Sequence, residues 1–395
     1  MQQLRSLTLI LAGLAMLGPF SIDTYLPSFA SIARDFQVDP VLVQQTLSAY
    51  LACFATMMLF HGTLSDSFGR RPVIMASLGV YTLASAGAAL APSLGWLIAF
   101  RALQGLSAGA GTVVGRAMIR DRLSGAHAQK MLSDVTVVFA VAPAVAPVLG
   151  GWMEVWFGWR SVFAFLCLLG LLMTLACWRA LAESLPQERR QPFHARQILG
   201  NYGLVLQHPR FLLLVFALAL ASIGYFVYIA SAPHFVIDVL HLTETSFAWL
   251  FIPVVIGLVG GAGMAGRLAH HWSPVRLITL GYVLVGLSAA ANLLYASIFP
   301  AQVPWAVLPL LLYTFGVSVA SPSIMVLTLN VFPAMRGLAA SMQAFFQTLM
   351  YAAVSALVAP LVAQSALRLA AFVFMTAAAS VVCIVIAMRM GHEHG

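Results

Sequence analysis

Charge is scarce in this chain. Asp, Glu, Lys and Arg make up 8% of its 395 residues, where a soluble domain is roughly a quarter charged. So little charge cannot cover a water-facing surface, which excludes a soluble fold. Acids are rarer than bases, 12 against 20, for a net charge of +8. The basic residues are spread through loops instead of gathered into a groove-binding patch, so nucleic acid is not expected as a partner. Cysteine is scarce too. Cys53, Cys167, Cys177 and Cys383 lie in apolar segments without metal-ligand spacing, and buried reduced thiols are expected. There is no Walker A run, so ATP-driven transport is not expected, and there is no H-E-x-x-H. Gly105-Leu-Ser-Ala-Gly109 fits G-x-S-x-G only as letters, since it lies in an apolar span and not between a strand and a helix, and no enzyme is expected. The His392-Glu-His394 tail is too sparse for a metal site, and no metal or cofactor is expected.

Apolar sequence is what the chain has. It is 61% hydrophobic, with a mean hydropathy of +0.94. Repeated runs of about 20 apolar residues indicate membrane-spanning helices and not a barrel. The spans are placed at roughly 4–27, 41–64, 72–91, 94–117, 131–155, 159–179, 209–232, 246–267, 275–297, 303–331, 337–363 and 367–389. The first is too long for a signal peptide, and no small-x-small cleavage site follows it. Twelve spans put both termini on one side. Of the 20 Lys and Arg, sixteen fall on that side, three (Arg34, Arg160, Arg368) on the other, and Arg101 lies inside a span. The positive-inside rule makes the basic side cytoplasmic.

The longest polar segment, about 180–208, follows the sixth span and divides the chain nearly in half. It predicts two six-helix bundles, residues 1–179 and 209–395, joined by a cytoplasmic linker. A weak internal repeat agrees. Pro27 ends the first span as Pro233 ends the seventh, and Gly62-Thr-Leu-Ser-Asp66 matches Gly266-Arg-Leu-Ala-His270. Parallel halves are a transporter plan, with substrate held near the midplane.

One stretch organises the rest: Gly62-Thr-Leu-Ser-Asp66-Ser-Phe-Gly69-Arg70-Arg71-Pro72-Val73. Its polar residues cannot sit in hydrocarbon and must turn at a membrane face. Gly62 and Gly69 permit positive φ or close approach, and Pro72 suits a first helical turn. The stretch resembles the G-x-L-x-D-x-x-G-R-R loop signature of the major facilitator superfamily at every defining position. Arg101-Ala-Leu-Gln104-Gly105 resembles the superfamily's R-x-x-Q-G motif. Ala142-Pro143-Ala-Val-Ala-Pro147-Val-Leu-Gly150-Gly151 resembles its antiporter motif, which symporters generally lack. Pro19-Phe-Ser-Ile-Asp23-Thr-Tyr25-Leu-Pro27 and the loop Leu185 to His194 are similar to segments of the bacterial Bcr/CflA drug-efflux subfamily. In the C-terminal half the resemblance rests mainly on hydropathy.

The resemblance implies an all-α integral membrane protein of two pseudo-symmetric six-helix bundles, exchanging drugs for protons across a bacterial inner membrane. Asp23 is the sharpest candidate for proton coupling, because an unpaired carboxylate in an apolar span is costly and burial favours its neutral form. The alternative is a helix-end Asp in contact with outside water. Arg101 sits at a similar depth, which permits a pair that substrate or conformational change would switch; the alternative is a static pair. Gly62, Asp66, Gly69, Arg70 and Asp121 are expected to form a cytoplasmic latch which, by resemblance, stabilises the outward-open state. Pro143, Pro147, Gly150 and Gly151 are expected to hinge and seal the fifth span, against the alternative of ordinary helix packing. Tyr25, Tyr50, Phe54, Met58, Phe139, Tyr225, Tyr228, Asn330 and Gln343 are candidate pocket residues, aromatic and Met side chains being adaptable to varied apolar drugs. Asp134, Glu154 and Arg160 are read as loop charges without chemistry. The expected protein is a monomer in the lipid bilayer whose partners are a small-molecule drug and protons. Other readings are a dedicated exporter of an amino acid or its derivative, and a non-transporting membrane sensor.

Overall fold

Proline, glycine and short polar caps set the ends of the helices. In the computed structural model, residues 2–192 and 195–392 are described. Phe193 and His194, which end the central-loop resemblance, lie outside them, as do Glu393 and His394 of the tail. The first half runs α1 (Gln2–Asp23), a 3-10 turn (Leu26–Ser28), α2 (Phe29–Phe36), α3 (Pro40–Phe68), α4 (Arg70–Ala89), α5 (Leu94–Ala108), α6 (Ala110–Arg122), α7 (Gly125–Phe157) and α8 (Trp159–Ala180). The second runs α9 (Ala195–Leu206), α10 (Pro209–Ala230), α11 (Ala232–His234), α12 (Ala248–Leu268), α13 (Pro274–Ile298), α14 (Leu308–Val331), α15 (Arg336–Ala353), α16 (Ala359–Val362) and α17 (Ala366–His392). Among the described residues twelve helical spans, Ser6–Phe36 to Ala366–Met390, are long and apolar enough to cross a membrane. At 1.5 Å per residue even the 20 residues of Arg70–Ala89 match the roughly 30 Å of hydrocarbon.

Caps show why helices start where they do. Asp39 accepts the Val41 N–H at 2.8 Å, with Pro40 at the first helical position of α3. Ser273 and Pro274 do the same for α13, Ser273 Oγ accepting from the Arg276 N–H. Gly69, at φ +101°, is the whole connection between α3 and α4. The signature stretch is therefore mostly helical, and the turn expected across it shrinks to one residue.

The chain forms two compact units, 1–194 and 195–395. In the first, α1 packs on α7, α3 on α5, and α4 on α5 and α8. In the second, α14 packs on α12 and α13, and α10 on α17. Each unit opens on a span broken at proline, at Pro27 in the 3-10 turn and at Pro233 in α11. π-helical turns follow over 235–239 and 354–358.

Small residues bring helices close. A Cβ at Gly105 would overlap the Tyr50 carbonyl, and one at Gly150 would overlap the Thr24 carbonyl. In the second unit, Gly281 and Gly316 face each other's backbone. Here packing supplies the attraction between helices, because lipid chains leave no hydrophobic difference to exploit.

Candidate functional site

The broken end of α1 gathers the polar residues of the first unit. Pro19 lies within α1 and cannot donate a helical hydrogen bond. Ser21 donates to the Leu17 carbonyl at 2.6 Å, and Thr24 to the Phe20 carbonyl. Such back-bonding competes with the helix and bends it. Asp23 is the last residue of α1 and is 4% exposed. Among the described residues it has no hydrogen-bond or ion-pair partner.

Arg101, in α5, is fully buried. Its guanidinium carbon lies 4.2 Å from the Tyr25 ring centroid and 4.4 Å from that of Tyr50. A desolvated cation between two aromatic faces is held by their quadrupoles, at about 2 kcal/mol or more per face. Nη1 donates to Gln104 Oε1 at 2.8 Å, Gln104 Nε2 donates to Ser85 Oγ at 2.7 Å, and Ser85 Oγ donates to the Tyr81 carbonyl at 2.7 Å. The Tyr81 hydroxyl returns to Ser21 Oγ at 2.7 Å. A polar chain thus ties α5 through α4 to α1. Arg101 Nε and Nη2 have no hydrogen-bond partner among the described residues. In this structure no ion pair joins Arg101 to Asp23. Ring faces and an amide occupy the guanidinium instead, an arrangement that equal depth in the sequence does not reveal.

Two glycines fix this geometry. Gly105, one residue after Gln104, lets α5 approach the Tyr50 backbone. Gly150, in α7, lets the antiporter stretch press against Thr24, next to Asp23. Pro143 and Pro147 lie inside α7, which continues through both, and Gly151 is buried beside Gly150.

The signature stretch forms a second cluster. Arg70 Nη1 is 2.5 Å from Asp66, and its Nε is 3.0 Å from Asp121 Oδ2. Nη1 also donates to Ser65 Oγ at 2.6 Å. Glu183, which the sequence reading did not single out, completes it. Its Oε1 accepts from the N–H groups of Arg70 (3.0 Å), Ser184 (2.8 Å) and Leu185 (3.0 Å), and its Oε2 from that of Arg71 (3.2 Å). An acid on the first N–H groups of α4 satisfies donors that the helix cannot. Burial opposes its ionisation, but these four N–H groups outweigh burial and hold its carboxyl below the usual range. Arg190 Nη2 stands 3.9 Å from Glu183 Oε2, and the Gln191 N–H donates to the Asp66 carbonyl at 3.1 Å. A Cβ at Gly69 would lie 2.7 Å from Glu183 Oε2. The available signal was an acid directly after a span, the counterpart of the basic pair that starts another.

Other candidates divide between the units. Phe54 stacks on Tyr50 with centroids 5.8 Å apart, Met58 is half-buried, and Phe139 is exposed on α7. His61, beside Gly62, also escaped the sequence reading; it is 1% exposed, its ring rests on Gly109, and neither nitrogen has a hydrogen-bond partner among the described residues. Arg160, expected to flank an outer loop without chemistry, pairs with Asp35 at 2.5 Å and lies over the Trp159 ring. In the second unit the Tyr225 and Tyr351 hydroxyls are 3.2 Å apart, and Gln347 donates to Ser222 Oγ and to the Tyr351 hydroxyl. Tyr228 accepts from Asn292 at 3.0 Å. Gln343 is buried, and its Oε1 has no hydrogen-bond partner among the described residues. Asn330 stands apart from these, exposed near the end of α14 and accepting from Arg336 at 3.4 Å. Among the described residues no group of His, Cys, Asp and Glu could hold a metal.

Known proteins resemble this chain in sequence and in fold. The family model for the Major Facilitator Superfamily matches residues 10–360. An uncharacterized MFS-type transporter, YdgK of Bacillus subtilis (strain 168), is 30% identical over 94% of this chain and 92% of its own. A bicyclomycin resistance protein homolog of Haemophilus influenzae is 30% identical over 71% of this chain and 70% of its own. Multidrug resistance protein D of Escherichia coli (strain K12) is 27% identical over 98% of this chain and 97% of its own. The human organic anion transporter MFSD10 superposes with a TM-score of 0.68 at 16% identity, covering 97% of this chain and 99% of that one, a likeness of fold alone. With the signature loop, the buried Arg101 and the antiporter stretch in place on twelve spans, the chain belongs to the Major Facilitator Superfamily, a family of multi-pass membrane transporters, and its drug-resistance relatives are those of the Bcr/CflA branch.

Proposed function

We propose that this protein exports small amphipathic drugs from a bacterial cytoplasm in exchange for protons, by alternating access, as a monomer with both termini cytoplasmic. The observation that carries the reading is Asp23, an acid buried inside a span and without a hydrogen-bond or ion-pair partner among the described residues. An intramembrane acid of this kind is a functional site by default. Its neighbours suit a proton carrier. Arg101 is held nearby with two donor nitrogens unfilled, and the Gly150 contact presses on the adjacent residue. Proton uptake would neutralise Asp23 and release would restore a charge near an unsatisfied guanidinium, so the two states differ in what the broken end of α1 attracts. The Arg70 cluster would hold the ends of α3, α4 and α6 together as that change is transmitted. Relatives named for bicyclomycin, chloramphenicol and multidrug resistance support drugs as the cargo.

The test is growth of an efflux-deficient bacterium on a chemically varied drug panel. Wild type and Asp23→Asn are expressed at matched membrane levels. Protection against several drugs is expected from wild type and its loss from the variant. Proteoliposomes bearing wild type, acidic inside, are expected to release lumenal protons when drug is added outside, and Asp23→Asn vesicles are not. Protection retained by Asp23→Asn would remove Asp23 from the coupling machinery.

A further inference from the structure

Of the ten histidines in the chain, His61 is the one that is buried among the described residues. It lies on α3, seven residues before Phe68, the last residue of that helix, or about 10 Å inside that end. A neutral imidazole carries one N–H donor and one acceptor nitrogen, and an imidazolium carries two donors. Neither nitrogen of His61 is hydrogen-bonded among the described residues. Such unmade bonds cost stability that an apolar side chain of similar size would keep. A histidine retained inside a span on these terms is a candidate for function, and Asp23 and Arg101 leave it unused.

His61 faces a break in the fourth span. The span Leu94–Arg122 is two helices, α5 ending at Ala108 and α6 starting at Ala110. Between them the Gly109 N–H turns to the Ser107 carbonyl, where a continuous helix would bond it to Gly105. Ser107 Oγ donates to the Leu103 and Gln104 carbonyls, both at 3.0 Å, back-bonding that favours a bend. A Cβ at Gly109 would lie 3.4 Å from His61 Nδ1 and 3.5 Å from Phe54 Cε2, so the ring rests directly on the break. The Leu106 carbonyl is the backbone acceptor beside the ring, out of line for a hydrogen bond here.

Charged groups lie away from the ring on every element packed against α3. On α3 itself Asp66 is five residues further on and is paired with Arg70. On the fourth span Arg101 comes eight residues before Gly109 and Arg116 seven after it. Arg70 and Arg71 start α4, Arg34 and Asp35 lie in the last turn of α2, and Asp23 ends α1. None of them stands against the imidazole. A cation enclosed at this depth without an acid is costly, so the ring is neutral in this structure.

We propose that His61 is a second proton-binding site of this protein, distinct from Asp23, which takes up a proton when α3 and the break at Gly109 move apart and releases it when they close. The lone pair of one ring nitrogen binds a proton from water, and the same bond breaks when the proton returns to water, so no further reactant is needed. The Leu106 carbonyl, at the end of α5, is placed to accept from the imidazolium after a small movement of the break. A charge-assisted bond of this kind is stronger than a neutral one and would favour the bent form of the span while the proton is held. The inference rests on the export reading for its place in a cycle, because alternating access would expose the ring to one face of the membrane at a time.

Nitrogen NMR of the full chain in nanodiscs, with its histidines labelled with ¹⁵N, reads the proton directly. A neutral imidazole gives two widely separated nitrogen signals, and an imidazolium gives two close ones. The His61 pair is identified by its loss from His61→Gln, or from His61→Phe if the glutamine variant fails to insert. Between about pH 8 and pH 5, which brackets the ordinary range of histidine, the wild-type pair is expected to pass from wide to close. The same passage is expected in Asp23→Asn. A His61 pair that stays wide down to pH 5 overturns the site. So does a pair already close at pH 8, since the ring would then be a fixed cation. Titration that vanishes in Asp23→Asn overturns the claim of a second site. The titration needs no drug and no gradient. A ring that titrates in a chain that moves no compound in flux assays would sink the export reading and leave the proton site standing; a ring that stays neutral in a chain that exports would do the reverse.

Discussion

Four backbone N–H groups converge on Glu183, so its carboxylate acts as an external cap for α4. The sign of its pH dependence follows. Its folded carboxyl is held below the ordinary range, whereas in an unfolded chain it titrates near pH 4.3. The cap therefore contributes fully above about pH 4.3 and is lost as pH falls through the lower folded value. Replacement by Gln keeps one acceptor oxygen but removes the charge, at a cost of about 1–2 kcal/mol near pH 7. Thermal unfolding of the purified protein in detergent is expected to show Glu183→Gln melting below wild type at pH 7, with the gap narrowing below about pH 4. A gap constant from pH 7 to pH 3 would mean that the charge of Glu183 is not what holds the cap. Arg70 alone has visible partners in the sequence, since Asp66 is one turn before it. Glu183 lies 113 residues from Arg70 and becomes its neighbour only when α8 packs on α4.

Among whole elements, the contact of α7 with the broken end of α1 is the least tolerant. At Gly150 the atom that a Cβ would meet is the Thr24 carbonyl oxygen, part of the backbone and unable to swing aside. Overpacking of this kind costs about 1–3 kcal/mol. Gly79, within α4, meets nothing within 4 Å. There alanine removes only the conformational freedom of glycine and is expected to stabilise by about 0.5–1 kcal/mol. Gly150→Ala should melt a few degrees below wild type and give less drug protection at equal expression. Gly79→Ala should melt at or above wild type and protect as well. If both variants behave alike, close approach at Gly150 is not the reason for glycine there. The antiporter resemblance pointed to this element, but it could not say that the thin face of α7 lies against Thr24, because the partner of a thin face is a tertiary fact. The same limit applied to Arg101. Its place inside a span was legible, while its position between Tyr25 and Tyr50 depends on the packing of α5 against α3 and on the path of the chain just past α1.

At the scale of the whole chain, twelve apolar runs and their proline and glycine boundaries were legible because hydropathy and backbone restriction act locally. The extension of the first span through α2 was not, since the 3-10 turn at Pro27 reads as an end and Arg34 as a loop charge. The polar segment after α8 was legible as a division but not as a structural part. Ser184 donates to Asp121 at 2.9 Å, Arg122 donates to the Ala182 carbonyl, and Gln191 donates to the Asp66 carbonyl. Residues 181–191 thus fasten the ends of α3, α4 and α6, and α9 packs on α10 and α15. A chain cut after Ala180 therefore loses these bonds from the first unit, whereas a cut after His194 leaves them. Two pairs of co-expressed fragments test this, 1–180 with 181–395 and 1–194 with 195–395. The second pair is expected to restore drug protection with a first unit that resists proteolysis. The first pair is expected to give less protection and a first fragment that is degraded faster, because the Glu183 cap and the Asp121 and Arg122 contacts must then form between separate chains. Equal protection and equal proteolysis for the two pairs would show that residues 181–191 contribute connection and not structure.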